Sequence, residues 1–369
     1  MEQITCDVAI IGAGIAGAGL AAALGKGPEV VLVEREAWPG YHSTGRSAAI
    51  FIQNYGNVVI RGLSRASAPL FKGADPGLFP KPLLTPRGIL FVSDAAGLGA
   101  HEALIASADG LEQITPDAAT AMVPLLRRDW IHAAAYEAEA MDIDVAALHQ
   151  GWLKQARAAG ARMVTDAALS RASRADGLWT LETSAARIVA RTVVNAAGAW
   201  ADEVAALCGA RPVGLVPMRR SMAVLPLPAG FDSQAWPLVS DTGDGWYFKP
   251  EAGRLLVSPA DEDPVAPQDA FVDDMVLAEG LHRYEQAVTM PVTRVERSWA
   301  GLRSFAPDRT PVVGYDPQQE GFFWLAGQGG YGIQTAPGLS ALAAELLERR
   351  PPAAQPVRII DALSPARFG

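Results

Sequence analysis

The sequence predicts an α/β protein in two parts, one built on a buried, mostly parallel sheet covered by helices and the other on a mostly antiparallel sheet. Three observations predict it. An apolar run, a glycine-rich turn and an alanine-rich stretch follow one another over residues 8–25. A second unit of the same kind occupies residues 321–349. Between the two, residues 213–299 alternate apolar and polar with many prolines, the pattern of antiparallel strands.

The first unit is the most informative. Val8–Ile11 is a short β-branched run and reads as a buried strand. Gly12-Ala13-Gly14-Ile15-Ala16-Gly17 follows at once and fits G-x-G-x-x-G, and Ala18–Leu24 reads as a helix ended by Gly25 and Gly27. Val30–Val33 is a second buried strand with Glu34 and Arg35 at its end. Each glycine answers a physical need. Gly12 permits the tight turn, Gly14 lets the backbone approach a pyrophosphate, and Gly17 lets helix and strand pack closely. The helix start, at Ile15 and Ala16, offers free N–H groups and partial positive charge to phosphates. Glu34 stands near the expected spacing of about 20 residues for an acid that accepts from a ribose diol. Strand, turn, helix, strand and acid in this order predict a Rossmann-type dinucleotide site.

Composition narrows the partners. The chain has 369 residues, half of them hydrophobic, and a net charge of −9 without any lysine- or arginine-rich run. That gives a large core and argues against nucleic acid, which needs clustered positive charge. Val8–Gly25 is nearly uncharged and almost long enough to cross a bilayer, but it holds five glycines and lacks basic flanks. It also starts too near Met1 for the basic region of a signal peptide. The expectation is therefore no transmembrane segment. Cys6 and Cys208 have no metal or CxxC spacing and read as buried free thiols, in keeping with a reducing, cytoplasmic location.

Further along, Gly40–Ala49 is a polar stretch in which Ser43, Thr44 and Ser47 read as caps for a helix start. There Gly45 and Ala48 bring backbone close and Arg46 is placed to face a phosphate. A second phosphate-reading segment suits an extended FAD better than NAD. Pro80–Gly88 is a proline-rich crossing, Ile89–Val92 a strand, and Asp144–Ala159 an amphipathic helix. An apolar strand runs into Asn195-Ala196-Ala197-Gly198-Ala199-Trp200, where small residues again admit a ligand. Gly327–Gln334 reads as a glycine-rich turn and Ala336–Arg349 as a helix. The start of that last helix, with Gly329, Gly330, Tyr331, Gly332, Ile333 and Gln334, is placed to stabilise negative charge on a reduced flavin. These readings assign residues 1–82, 143–212 and 304–369 to an FAD-binding domain, and 83–142 and 213–303 to a substrate-binding domain.

Taken together, the stretches Ile11–Gly17, Glu34–Glu36, Gly40–Ala49, Leu148–Gly151, Val194–Trp200, Arg219–Ser221, Trp299–Phe305 and Gly327–Thr335 resemble the D-amino-acid oxidase-like FAD oxidoreductases, the group that holds glycine and sarcosine oxidases. Within it, the chain looks most like the bacterial D-arginine dehydrogenases. The resemblance implies that Arg220 and Arg303 hold a substrate carboxylate, with Arg219 an alternative to Arg220, and that Tyr55 and Tyr247 line the pocket. It implies removal of the Cα hydride to flavin N5, giving an imino acid that hydrolyses to a 2-oxo acid and ammonia. Electrons would pass on to oxygen or a quinone-like acceptor. Two departures matter. Ile89 and Ile50 stand where the D-arginine enzymes have a glutamate and a histidine, and an isoleucine cannot pair a buried cation. The expected substrate is thus a small amino acid, of D configuration, with a neutral or apolar side chain. Neither cysteine matches a covalent flavin site, so FAD is expected to be held non-covalently. The same arginines would equally serve a secondary amine such as sarcosine or proline, or a 2-hydroxy acid. An FAD-holding subunit of an electron-transfer complex and an NAD-dependent dehydrogenase are the remaining readings.

Overall fold

The computed structural model describes residues 2–352 and 357–369. The apolar run at Val8 is the end of a longer strand, Glu2–Ile11, and within the run side chains alternate between two cores. Ile4, Cys6, Ala9 and Ile11 face one and Val8 and Ile10 the other, which is why the run is apolar without alternation. This strand pairs in parallel with Ala186–Asn195 from Glu2↔Ala186 to Ile11↔Asn195, and with Val30–Val33 on its other edge. Arg162–Val164 and Phe322–Ala326 extend the sheet in parallel on either side, and Leu169–Ala175, Leu178–Thr183 and Val312–Tyr315 join it antiparallel. The helices Ile15–Leu24, Val145–Ala158 and Gly332–Leu347 pack together on one face. Val145–Ala158 is capped by Asp144, whose carboxylate accepts from the Ala147 N–H.

The glycine turn works by close approach. Gly12 has φ +102°, and a Cβ there would lie 2.4 Å from the Ala196 oxygen; a Cβ on Gly17 would lie 1.9 Å from the Gly12 oxygen. Turn, helix and the strand end at Ala196 are thus packed backbone to backbone. The membrane-length stretch Val8–Gly25 resolves into this strand, turn and helix, and among the described residues no helix is long and apolar enough to cross a membrane. Cys6 and Cys208 are free and buried, and burial pushes both thiols up to about 12.

Among the described residues the second sheet has nine strands, drawn from residues 89–137 and 216–305. All its pairings are antiparallel except that of Leu238–Asp241 with Ile89–Ser93. Its core gathers Leu90, Val92, Trp236, Trp246, Phe248 and Tyr284. The expectation of sheet throughout residues 213–299 needs correction, because Asp274–Ala287 is a helix. Asp273 caps it, accepting from the Met275 and Val276 N–H groups, and Leu277, Gly280, Leu281, Tyr284 and Ala287 form a buried stripe at helical spacing. Short apolar pieces between charges mask that period in the sequence. At the C-terminal end, too, the glycine-rich turn is shorter than expected: Gly329–Tyr331 is one 3₁₀ turn and the helix already begins at Gly332.

Replacing Gly17 by alanine forces a methyl group into the Gly12 carbonyl and is expected to destabilise the fold by about 1–3 kcal/mol. Gly99, in an exposed helix with nothing within 4 Å of its Cβ position, is the control; its alanine variant should melt no lower than the parent in a thermal scan.

Candidate functional site

One cavity of about 460 Å³ lies between the two sheets. At one end it is lined by Gly14, Ile15 and Ala16, the start of the first helix, which has no side-chain cap of its own at Gly14. At another it is lined by Gly329, Gly330, Gly332, Ile333 and Gln334, the start of the last long helix, again without a side-chain cap. Two helix N-termini, each with free N–H groups and partial positive charge, therefore open on one space.

The segment from Gly40 departs from expectation. Residues 40–46 are turns and no helix follows, so Ser43, Thr44 and Ser47 cap nothing downstream. Instead the Thr44 hydroxyl accepts from the Ile15 N–H at 3.0 Å, closing the start of the first helix from outside, and Ser43 donates to the Leu302 carbonyl at 2.6 Å. Arg46 reaches the cavity wall, and its guanidinium is engaged by Asp269 and by the carbonyls of Tyr41, Ala270 and Ala300, which ties this segment to the second sheet. Ser47, Ala48 and Ile50 also line the cavity.

Not every expected cofactor residue reaches it. Gly12, Gly17 and Gly45 pack backbone behind the wall, and Tyr331 and Ala197 also stand outside the lining. Glu34 is buried, with one carboxylate oxygen accepting from the Ala13 N–H and the other from the Glu36 N–H, both at 3.0 Å. Arg35 lies over the Trp200 ring at 4.4 Å, and His42 packs on the same ring. These residues form a cluster beyond the cavity, next to the second strand. Gly198 alone of the small residues at the Ala186–Asn195 strand end joins Ala196 in the lining.

The opposite wall carries charge. Arg219 and Arg220 are neighbours on one strand and part company. Arg219 lies with Asp263 at 2.7 Å, Asp261 at 3.5 Å and Asp273 at 3.7 Å, away from the cavity. Arg220 lines the cavity, donates to Glu262 at 3.2 Å, and its buried Nε has no partner. Glu262 is shared with Arg309 at 3.0 Å, so one carboxylate serves two guanidinium groups. Arg303 also lines the cavity, and among the described residues no carboxylate pairs with it. Its Nη2 stands 3.5 Å from the Tyr247 hydroxyl, and a Cβ on Gly330 would press to 3.1 Å from its Nη1. Burial works against the Arg303 charge, yet Tyr247, Tyr55 and Glu262 hold its pKa above the ordinary value. Burial likewise pushes the Tyr247 phenol up, but Arg303 and Arg220 more than reverse this and hold it below the usual tyrosine range. Tyr55 is more than a third exposed and meets Tyr331 ring to ring at 4.8 Å; burial, then Tyr55 itself, push the Tyr331 phenol up to about 12.

One part of the wall is apolar. Ile89 is 2% exposed and packs with Ile52 and Leu238, and Ile50, Phe91 and Tyr247 lie against them. Sequence reasoning missed Asn54, Arg61, Asp241 and Asp244, which also line the cavity. Asp241 is spent on its own turn, accepting from Gly243 and Gly245. Burial raises the pKa of Asp244, with Arg220, Arg303 and Arg309 opposing. The one available signal was the Asp-rich turn at residues 241–245.

A family model described as FAD dependent oxidoreductase matches residues 7–346. Glycine oxidase of Geobacillus kaustophilus (strain HTA426) is 25% identical over 366 residues, covering 93% of each chain. Mitochondrial dimethylglycine dehydrogenase of Homo sapiens is 27% identical over 276 residues, covering 69% of this chain and 31% of its own, so the chain spans about a third of that relative. The crystal structure of L-proline dehydrogenase from P. horikoshii matches with a TM-score of 0.85 at 21% identity, over 100% of this chain and 98% of that one. At that identity the likeness is one of fold.

Two outcomes check this geometry. In an alkaline titration followed by phenolate absorbance, one tyrosine should ionise below the ordinary pKa of about 10, and this feature should vanish in Tyr247→Phe. Arg219→Ala should lower stability by several kcal/mol by leaving buried Asp261 short of its cation, whereas Arg220→Ala, which faces the cavity, should leave the melting temperature nearly unchanged.

Proposed function

The chain belongs to the DAO family of FAD-dependent oxidoreductases, and from that premise we propose that it oxidises the Cα–N bond of a small amino acid with a neutral or apolar side chain, the D form being the expected hand. The observation that carries this reading is Arg303: a guanidinium on a cavity wall with no carboxylate of its own among the described residues. An uncompensated charge away from water is costly, and an incoming carboxylate removes the cost with two parallel hydrogen bonds.

The residues fit the cofactor. A Cβ on Gly14 would close to 3.2 Å on the Thr44 hydroxyl, so the wall there is bare backbone at a helix start, the setting that takes a pyrophosphate. Gly329–Gln334, at the second helix start, would take the flavin end, and Glu34 and Arg35 the nucleoside end. Neither buried cysteine reaches the cavity, which supports a non-covalent attachment. When bound, FAD supplies the hydride acceptor. The chain's own residues do the holding. Arg303 takes the substrate carboxylate, Arg220 adds the unpartnered Nε, and the Tyr247 and Tyr55 hydroxyls flank the acid. Ile50, Ile52, Ile89 and Phe91 receive the side chain and exclude water. Orientation of this kind is worth up to roughly 7–11 kcal/mol of a barrier in ideal cases. The oxidised product, an imino acid, would hydrolyse in water to a 2-oxo acid and ammonia. Glu137, the register partner of Ile89, is already hydrogen-bonded to Gln53 and Asn54, and Asp241 to its own turn, which supports a neutral side chain there.

A second reading is favoured by the relatives' names. Dimethylglycine dehydrogenase and L-proline dehydrogenase act, by name, on amines whose nitrogen carries more than one carbon. The same arginines would hold sarcosine or proline. Anaerobic bleaching of the bound flavin with a panel of D- and L-amino acids, sarcosine and proline separates the two. Bleaching by neutral D-amino acids is expected; if no carboxylate-bearing amine bleaches the flavin, the reading fails. Arg303→Ala should keep its FAD and lose kcat/KM by roughly 100-fold, the loss of a charged hydrogen-bonded pair.

A further inference from the structure

Tyr55 sits on a loop, and the way this loop is fixed is unusual. Its two ends are held by ordinary means. Ile52 exchanges hydrogen bonds with Gln334, whose Oε1 accepts from the Ile52 N–H at 3.2 Å and whose Nε2 donates to the Ile52 carbonyl at 3.3 Å. Asn57 caps the helix Val58–Lys72, accepting from the Val59 and Ile60 N–H groups. Between these anchors the middle of the loop is held by a carboxylate from the second sheet and, through Asn54, by the backbone of Asp109. Glu137 accepts from the Gln53 N–H at 3.1 Å through Oε1 and from Asn54 Nδ2 at 2.9 Å through Oε2. Asn54 in turn grips Asp109, donating to its carbonyl at 2.9 Å and accepting from its N–H at 2.8 Å.

Glu137 is 3% exposed and Asn54 5%, while Tyr55, the next residue, is 38% exposed. Glu137 has no ion-pair partner within salt-bridge distance among the described residues. From the helix, Arg61 acts on it only at a distance, its own donors being spent on the Gly56 carbonyl and on Ser107. From the loop at Asp109, the carboxylate is turned to Arg65 at 2.5 Å. From the facing strand, the register partner is Ile89, which is uncharged. A buried carboxylate without a cation is expensive, and two loop donors are satisfied more cheaply by backbone carbonyls. What the carboxylate adds is stiffness and position: two charge-assisted bonds to consecutive residues fix the backbone just before Tyr55. In keeping with this, burial holds the Glu137 carboxyl above the usual carboxylate range, with its loop partners pulling the other way.

We propose that Glu137 is a positioning residue, which through Gln53 and Asn54 holds the Tyr55 hydroxyl at the arginine-lined end of the cavity. This rests on the carboxylate-binding reading given above for what Tyr55 does there, but the placement of the loop is independent of it. Glu137→Gln is the test. A glutamine brings one donor to a place where both neighbours already donate, so one of the two bonds must break. Three readouts apply to the FAD-loaded protein. Hydrogen exchange in peptides covering residues 50–57 should quicken about tenfold with other regions unchanged. On the substrate found by flavin bleaching, KM should rise about tenfold while kcat stays within about twofold. In a Tyr55→Phe background that penalty should shrink to less than about twofold, since the hydroxyl being positioned is gone.

Unchanged exchange at 50–57, or an equal penalty with and without the Tyr55 hydroxyl, overturns the proposal; the second result would mark Glu137 as structural only. Glu137→Asp, which keeps the charge but draws it back by one methylene from both donors, keeps the exchange test open if Glu137→Gln does not yield folded holoprotein. If no carboxylate-bearing amine is oxidised at all, the functional reading falls while the exchange measurement still decides the role of Glu137.

Discussion

The positive charge of Arg303, on the cavity wall with no carboxylate within ion-pair distance among the described residues, is the constraint around which the site is arranged. The guanidinium groups around it are engaged: Arg219 by three aspartates, Arg46 by Asp269 and three carbonyls, Arg309 and Arg220 by a shared Glu262. Arg303 has tyrosine hydroxyls for company and Gly330 against its edge. Hydroxyls soften the cost of such a charge without neutralising it, so the wall keeps an appetite for an anion.

The fold explains why that charge meets the cofactor site. Glycines at 12 and 17 draw strand, helix and the Ala196 turn together until backbones touch, which leaves the first helix start bare toward the cavity. The last strand of the parallel sheet leads straight into the second helix start, and Phe305 bridges to Gln328 where the antiparallel sheet ends. Arg303 lies two residues before that bridge. The strand carrying it pairs along its full length with the strand carrying Arg219 and Arg220, from Val216↔Phe305 to Val224↔Arg297. Along each strand, side chains alternate in direction, so Arg220 points into the cavity and Arg219 into its aspartates.

Much of this was legible beforehand, and the reasons differ by residue. The glycine turn announces itself because no other residue fits where a Cβ would strike a carbonyl at 1.9 or 2.4 Å. Val30–Val33 was readable because burial on both faces dictates its composition. The roles of Arg46 and Thr44 were not, because both depend on partners far away in sequence: Asp269 for one, Ile15 for the other. A local polar run cannot show whether its hydroxyls cap the next helix or a previous one. Arg219 and Arg220 were indistinguishable until strand direction was known. The helix Asp274–Ala287 did carry a cap and a stripe, but prolines and charges around it suggested sheet. Glu137 lay in an unremarkable strand, and only its contact with Asn54, 83 positions earlier, gives it meaning.

The central claim, that the cavity is built for an acid group, is open to a direct measurement. The FAD-loaded protein can be titrated with benzoate and with benzamide, which has nearly the same shape without the charge, and the flavin absorbance followed. Benzoate is expected to perturb the spectrum to saturation and to bind at least about tenfold more tightly than benzamide, a difference of about 1.4 kcal/mol. Equal affinity for the two, or no binding of benzoate, would contradict the account.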